Sequence, residues 1–295
     1  MPYTTTKDKV ILTSGDDKVV VFFYGATVSS WESCDKERLY LSKSAKLDGS
    51  KAIRGGIPLV FPVFGKYPAA HEYGDLPQHG FARISTWRLT GVVEEGEEEV
   101  AKGLTATFEL GPEDVDPKLT GSWPNAFKLQ YRVSVSKCRL ETQLTVQNPG
   151  RGSWPFHALF HTYLRAGDAN RVRIHGLQGL NYTDKVLDGA DGHEVDESIS
   201  LTGETDRVYA HAPDHLTVEV DEGLRIEMRS SGTEDVVVWN PWAEKAKAMG
   251  DFDDDGWKEM VCVEIGSVAT EVALAGEGGT WEGRQVLEVK EACCS

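Results

Sequence analysis

A chain of 295 residues with 40% hydrophobic and 26% charged residues can bury a substantial core, which excludes global disorder and a disulfide-stapled mini-protein. Its 31 basic and 47 acidic residues leave a net charge of −16 and a pI near 4.9. Such a chain repels nucleic-acid phosphates and anionic membrane surfaces, so neither partner is expected.

The opening MPYTTTKDKV lacks the apolar core of a signal peptide, and no stretch reaches the roughly 18 apolar residues of a membrane helix. A cytoplasmic chain is expected, acting as a monomer. The five cysteines (Cys34, Cys138, Cys262, Cys293 and Cys294) are odd in number and show no CxxC spacing. That pattern favours reduced thiols over a zinc site or a secreted disulfide framework.

Taken in order, Val19 to Tyr24 is an apolar run closed by Gly25, as in a buried strand. Residues 51–88 then carry Lys51, Arg54, Lys66, Arg83 and Arg88 against Glu72 and Asp75, a local excess of positive charge inside an acidic chain. The segment includes Arg54-Gly55-Gly56-Ile57-Pro58 and Leu76-Pro-Gln-His-Gly-Phe-Ala-Arg83. Adjacent glycines let backbone approach an anion, and arginine offers a planar fork of donors matched to phosphate oxygens. A pocket for a small phosphorylated ligand is one reading of these residues; surface ion pairing in a turn-rich stretch is the other. The run Glu94 to Glu99 reads as a solvated loop, and Glu113 to Leu119 as a short helix.

Leu129 to Gln147 alternates apolar and polar residues around a break at Ser136-Lys137-Cys138, a hairpin pattern. In Phe156 to Leu164 two histidines stand four apart, but Ala158 occupies the glutamate position of HExxH. Pro155 and the alternation favour a strand, with His157, Leu159, His161 and Tyr163 on one face. A second strand–turn–strand unit runs from Leu216 to Met228 around Asp221-Glu222-Gly223. Asp235–Trp239, Met260–Glu264 and Gln285–Val289 read as further short strands, and Ala243–Met249 as a helix. Asp251-Phe-Asp-Asp-Asp-Gly256 resembles the start of an EF-hand loop, yet Cys262 stands where its final glutamate belongs. A solvated acidic turn accounts for it better. Glu264 interrupts an apolar strand and shares a face with Met260 and Cys262, so it marks either a solvent-facing side or a functional cavity.

Many strands without long intervening helices point to an all-β antiparallel sandwich in one domain spanning residues 1–295, its core between about residues 10 and 290. The strings Arg54 to Gly65 and Leu76 to Arg83 together resemble the hexose-6-phosphate mutarotases of the aldose 1-epimerase superfamily, as do Leu159 to Tyr163, Thr233 to Trp242 and Val263-Glu264. The resemblance implies a galactose-mutarotase-like β-supersandwich with a few short helices, no metal and no organic cofactor. It further implies interconversion of the α and β anomers of an aldohexose 6-phosphate, chiefly glucose 6-phosphate, with His161 as catalytic acid and Glu264 as base. Arg54, Gln78, Arg83 and Asp206 fall on the family's substrate contacts, with His79 beside the sugar ring and Lys66 near the phosphate. Arg54 and Arg83 are expected to converge on that phosphate. The chain departs from the family at Leu274-Ala-Gly-Glu277 and at Pro155-Phe-His-Ala158. An aldose 1-epimerase of neutral sugars and a non-catalytic carbohydrate-binding sandwich are the alternatives.

Overall fold

Alternation is the dominant signal in the chain, and strands answer it. The computed structural model describes residues 2–95 and 103–291, arranged in three sheets whose strand pairs are all antiparallel. A nine-stranded sheet is built around Lys128–Ser136, Arg139–Asn148 and Gly279–Lys290. Lys128–Ser136 and Arg139–Asn148 alternate buried and half-buried residues along their length, the pattern of strands with one face on a core. Cys138, with φ at +55°, turns the hairpin between them. A five-stranded sheet from Tyr3–Thr5 to Lys36–Glu37 contributes Val10, Leu12, Val19 and Val21 to the same core.

The eight-stranded sheet carries the candidate site. Its order runs Ala190–His193, Asn181–Asp184, Thr205–Tyr209, Asp235–Asn240, Met260–Leu274, Trp154–Phe160 and Leu59–Val60, with Tyr163–Arg165 also paired to Met260–Leu274. One face sends Val236, Val238, Val261, Val263 and Phe160 into the main core. The opposite face presents Leu159, Val208 and Val237 in a small separate cluster. Every residue of Asp235–Asn240 is buried, so both faces of this central strand are covered and it reads as a continuous apolar run.

Two strands exceed their sequence signal. Met260–Glu264 is the start of a 15-residue strand, and Gln285–Val289 lies inside one of 12 residues. The outer part of Met260–Leu274 is largely exposed and carries no apolar alternation to betray it. The helix expected at Ala243–Met249 is Trp242–Ala248, while the one at Glu113–Leu119 is split into a 3-10 turn, Pro112–Asp114, and a helix, Pro117–Ser122. Pro117 explains the break, because a proline restricts the residue before it and tolerates only a helix start.

Cys262 is a free, buried thiol. Cys138 is disulfide-bonded, against the expectation of reduced thiols throughout, and the Cys34 Sγ lies 4.0 Å from its sulfur. The acidic run at Glu94–Glu99 begins inside the strand Arg88–Glu95; its remainder, with Cys293 and Cys294, lies outside the described residues. No helix among the described residues is long and apolar enough to cross a membrane.

Candidate active site

Register brings the two proton-transfer candidates together. Phe160 pairs with Ile265 and Tyr163 with Cys262, so the two unpaired residues between them continue the same register and set His161 opposite Glu264. The strand expected through Phe156–Leu164 is thus interrupted at His161 and Thr162, yet its alternation survives. On the other side, Glu264 is paired with Val237 and Val237 with Val208. The neighbouring row runs Tyr163, Cys262, Trp239 and Asp206. Lys185 follows, its backbone N–H donating to the Asp206 carbonyl at 2.8 Å. Directly opposed residues of antiparallel strands share a face, so this lattice delivers His161, Glu264, Trp239, Asp206 and Lys185 to one side of the sheet.

That side is the floor of a cavity of about 420 Å³ lined by Arg54, Phe64, Gly65, Gln78, His79, His161, Lys185, Asp206, Val237, Trp239, Lys245, Met249 and Glu264. The volume fits a small polar molecule. His161 and Glu264 are 6% and 1% exposed. The His161 Nδ1 lies 3.2 Å from the Glu264 Oε1, but the approach is not aligned for a hydrogen bond, and neither Nδ1 nor the Glu264 Oε2 has a hydrogen-bond partner. Buried polar atoms without partners are rare, and both of these belong to residues that line the cavity. The Tyr163 ring stacks on the imidazole at 4.7 Å and 11° between planes, while Trp239 and His79 meet it edge-on.

Burial pushes the Glu264 carboxyl well up, and the nearby Asp206 adds to the effect. Burial likewise holds His161 well below its usual range, reinforced by the Arg83 and Arg54 guanidiniums. Both directions favour the uncharged form of the pair, as expected for a dry site.

Arg54 is placed by the glycines that follow it. A Cβ on Gly55 would sit 2.4 Å from the Tyr40 carbonyl oxygen, and one on Gly56 would sit 2.0 Å from that of Val28. The glycines therefore serve close strand contact rather than an anion cradle, correcting the reading of their backbone. Arg54 donates from Nη1 to the Tyr163 hydroxyl at 3.4 Å and from Nη2 to Asp251 at 3.3 Å. Asp251 belongs to the acidic turn read as solvated, of which Asp254 and Asp255 are exposed while Asp251 is buried and Asp253 half-buried: Asp253 accepts from Lys43 N, the Ser44 hydroxyl and the Tyr40 hydroxyl. Asp251→Asn should leave Arg54 less firmly placed. The expected outcome is a rise in KM of about 3- to 10-fold with kcat within about twofold, measured on a phosphorylated sugar.

His79 sits at φ +65°, a conformation that costs a non-glycine residue roughly 1–2 kcal/mol. Its Nδ1 accepts from the Gly65 N–H at 3.1 Å, so Nε2 carries the proton of the neutral ring, and the Gln78 side-chain amide lies 3.4 Å from that Nε2. Burial, then Arg83 and His161, hold this ring below its usual range and hence neutral. Arg83 stands beside the cavity rather than in its lining. Its Nη2 donates to the Gln78 carbonyl at 2.8 Å, and burial with the Arg54 charge pulls it down to about 10, still cationic near neutral pH. Of the guanidinium expected to join Arg54 on one anion, Nη2 is thus engaged with loop backbone while Nε has no hydrogen-bond partner. Lys66 is exposed and outside the lining. His157, in the irregular step between Phe156 and Ala158, accepts from the Phe64 N–H and does not line the cavity.

Sequence reasoning missed two cations of the lining, Lys185 and Lys245. Lys185 lies 3.7 Å from the Phe64 ring centroid, and Lys245 pairs with Glu204 at 2.7 Å. Neither belongs to a motif; only the sheet register places Lys185, and only the Trp242–Ala248 helix places Lys245. Among the described residues one group could hold a metal ion, His161, Cys262 and Glu264.

The fold and cavity define a sugar-epimerase scaffold, and the comparisons agree: residues 8–288 match the Aldose 1-epimerase family, and the chain belongs to it. A protein of Cenchrus ciliaris named "Putative glucose-6-phosphate 1-epimerase" is 34% identical over 93% of this chain and 82% of its own length. One of the same name from Escherichia coli strain K12 is 34% identical over 87% of this chain and 82% of its own length. The crystal structure of a "putative mutarotase (YeaD)" from Salmonella typhimurium superposes with a TM-score of 0.84 at 29% identity, covering 98% of this chain and 93% of that one. The Slr1438 protein of Synechocystis sp. PCC 6803, at 20% identity and a TM-score of 0.78 over 98% of this chain and 99% of its own, shares the fold.

Proposed function

We propose that this epimerase interconverts the α and β anomers of a hexose 6-phosphate, with glucose 6-phosphate as the substrate to test first. The observation that carries the reading is the cross-strand pair His161 and Glu264 on the floor of a cavity that also presents Arg54, Lys185 and Lys245. The names borne by the relatives support the phosphorylated sugar. Arg54 and Lys245 already have carboxylate partners in Asp251 and Glu204, whereas Lys185 makes no ion pair among the described residues, so a phosphate would supply a counter-charge that a neutral aldose would not. We treat residues 1–295 as one functional unit, because the lining is drawn from Arg54 through Glu264 of the same chain, and the reading needs no partner subunit.

In the reaction, Glu264 takes the proton of the anomeric hydroxyl and C1 becomes a carbonyl. The C1–O5 bond breaks with its electron pair going to O5, which His161 protonates. After rotation about C1–C2, the O5 hydroxyl attacks the other face of the aldehyde, and both protons return. Ring opening thus converts a charged pair, carboxylate and imidazolium, into a neutral one. Burial favours the neutral pair, so the site lowers the free energy of the ring-opened state relative to the bound ring. The phosphate acts on the other side of the cycle: set against Arg54 and Lys185, its charge offsets the positive field that opposes protonation of His161. Remote binding free energy is thereby spent on charging and orienting the pair. In this reading His79 and Asp206, both in the lining, bind sugar hydroxyls.

The test is anomer exchange on glucose 6-phosphate, followed by NMR magnetisation transfer with the spontaneous rate subtracted. The rate should describe a bell in pH. Its acid limb is the gain of a second proton by the pair, which removes the base; its alkaline limb is the loss of the single proton, which removes the acid. Both limbs belong to the pair rather than to either residue. A rate independent of pH on both sides of neutrality would contradict proton transfer by this pair.

A further inference from the structure

Cys262 has no part in the reaction above, yet it lies beside its centre. It follows the same face as Glu264 two residues on, and is the cross-strand partner of Tyr163 and Trp239. The ligand atoms of His161, Cys262 and Glu264 all lie within 4.8 Å of one another. We infer that these three residues form a binding site for a thiophilic divalent cation such as Zn²⁺, whose occupation blocks the active site.

Four observations converge on it. The thiol is free and fully buried. The His161 Nδ1 and the Glu264 Oε2 are buried polar atoms without hydrogen-bond partners. The 3.2 Å separation of the His161 Nδ1 and the Glu264 Oε1 is close to the edge of a tetrahedron with bonds of about 2.0–2.1 Å, roughly 3.3 Å. Finally, a sulfur, an imidazole nitrogen and a carboxylate oxygen make a borderline-soft donor set that selects Zn²⁺ over Mg²⁺ or Ca²⁺. Both His161 and Glu264 line the cavity, which supplies the entry path and leaves a fourth position for water. Because the cation takes up both proton-transfer atoms, it competes with the sugar; this inhibitory consequence rests on the catalytic assignment proposed above, whereas binding does not.

The experiment uses Co²⁺ as a spectroscopic probe on the full chain after chelator treatment. One equivalent should produce a thiolate-to-cobalt absorption band, and Zn²⁺ should bleach it. Cys262→Val should lack the band, retain basal anomer exchange, and require at least about 10-fold more Zn²⁺ for half-inhibition. Cys262→Ser, with circular dichroism as the check on folding, guards against a packing defect in the valine variant and should also lose the band. Glu264→Gln should weaken Co²⁺ binding at least about 10-fold, read from the band alone. No band in the wild type, or an unchanged band in both Cys262 variants, overturns the site and leaves the proton-transfer assignment standing. A band accompanied by undiminished exchange upholds the cation site and counts against His161 and Glu264 as the reacting pair.

Discussion

Glu264→Gln should lower kcat for glucose 6-phosphate anomer exchange by about 10²–10⁴-fold while changing KM little, because a positioned proton-transfer group contributes on that scale to the chemical step. The amide keeps the shape of the side chain and its place opposite His161. The same variant should be more stable than the wild type. Glu264 is held above its ordinary value of 4.5, chiefly by burial, so the folded state binds its proton more tightly than the unfolded state. A carboxyl raised in this way weakens the fold at pH above its folded-state value, and the weakening fades as pH falls toward 4.5, where both states are protonated. The glutamine should therefore raise Tm by a few degrees at neutral to alkaline pH, equivalent to about 0.5–2 kcal/mol, with the gain vanishing in acid. Thermal melts across pH, paired with magnetisation transfer, check both halves. A variant as fast as wild type would remove the base assignment, whatever its melting point.

The second large effect is expected at Arg54. A charge-assisted hydrogen bond to phosphate is worth about 1.5–3 kcal/mol, so Arg54→Ala should raise KM for glucose 6-phosphate about 10- to 100-fold while leaving exchange of free glucose nearly unchanged. Equal losses on the two sugars would refute a phosphate role. Arg83→Ala belongs to a different class of change. Its guanidinium ties down the Gln78 carbonyl, so its removal disturbs the loop that holds Gln78 and His79 and is expected to touch both sugars.

Much of this arrangement was legible in the chain. Period-two alternation gave the antiparallel sheets at Lys128–Ser136, Arg139–Asn148, His215–Asp221 and Leu224–Ser231, because a half-buried strand leaves that imprint on its residues. Glu264 announced itself as an acid in an apolar run, and it is buried. Pairing between strands far apart in sequence leaves no such imprint. Nothing near Lys185 signals that its strand ends opposite Asp206, and nothing in Asp251-Phe-Asp253 distinguishes carboxylates that anchor Arg54 and the Lys43–Ser44 backbone from solvated ones. The glycines at 55 and 56 were readable as points of close approach, but what they approach, the carbonyls of Tyr40 and Val28, is a matter of tertiary packing.

The irregular step at His157 has a consequence for how such a scaffold can change. Between the pairs Phe156 with Val272 and Ala158 with Ser267, a single residue on one strand faces four on the other. That slack uncouples the outer end of the long strand from its catalytic end. Residues added or lost at 268–271 can be absorbed there, whereas a one-residue shift between Cys262 and Ser267 would turn Glu264 from the cavity into the core. Length variation among related enzymes should accordingly gather on the outer side of this joint, leaving the inner stretch of fixed length.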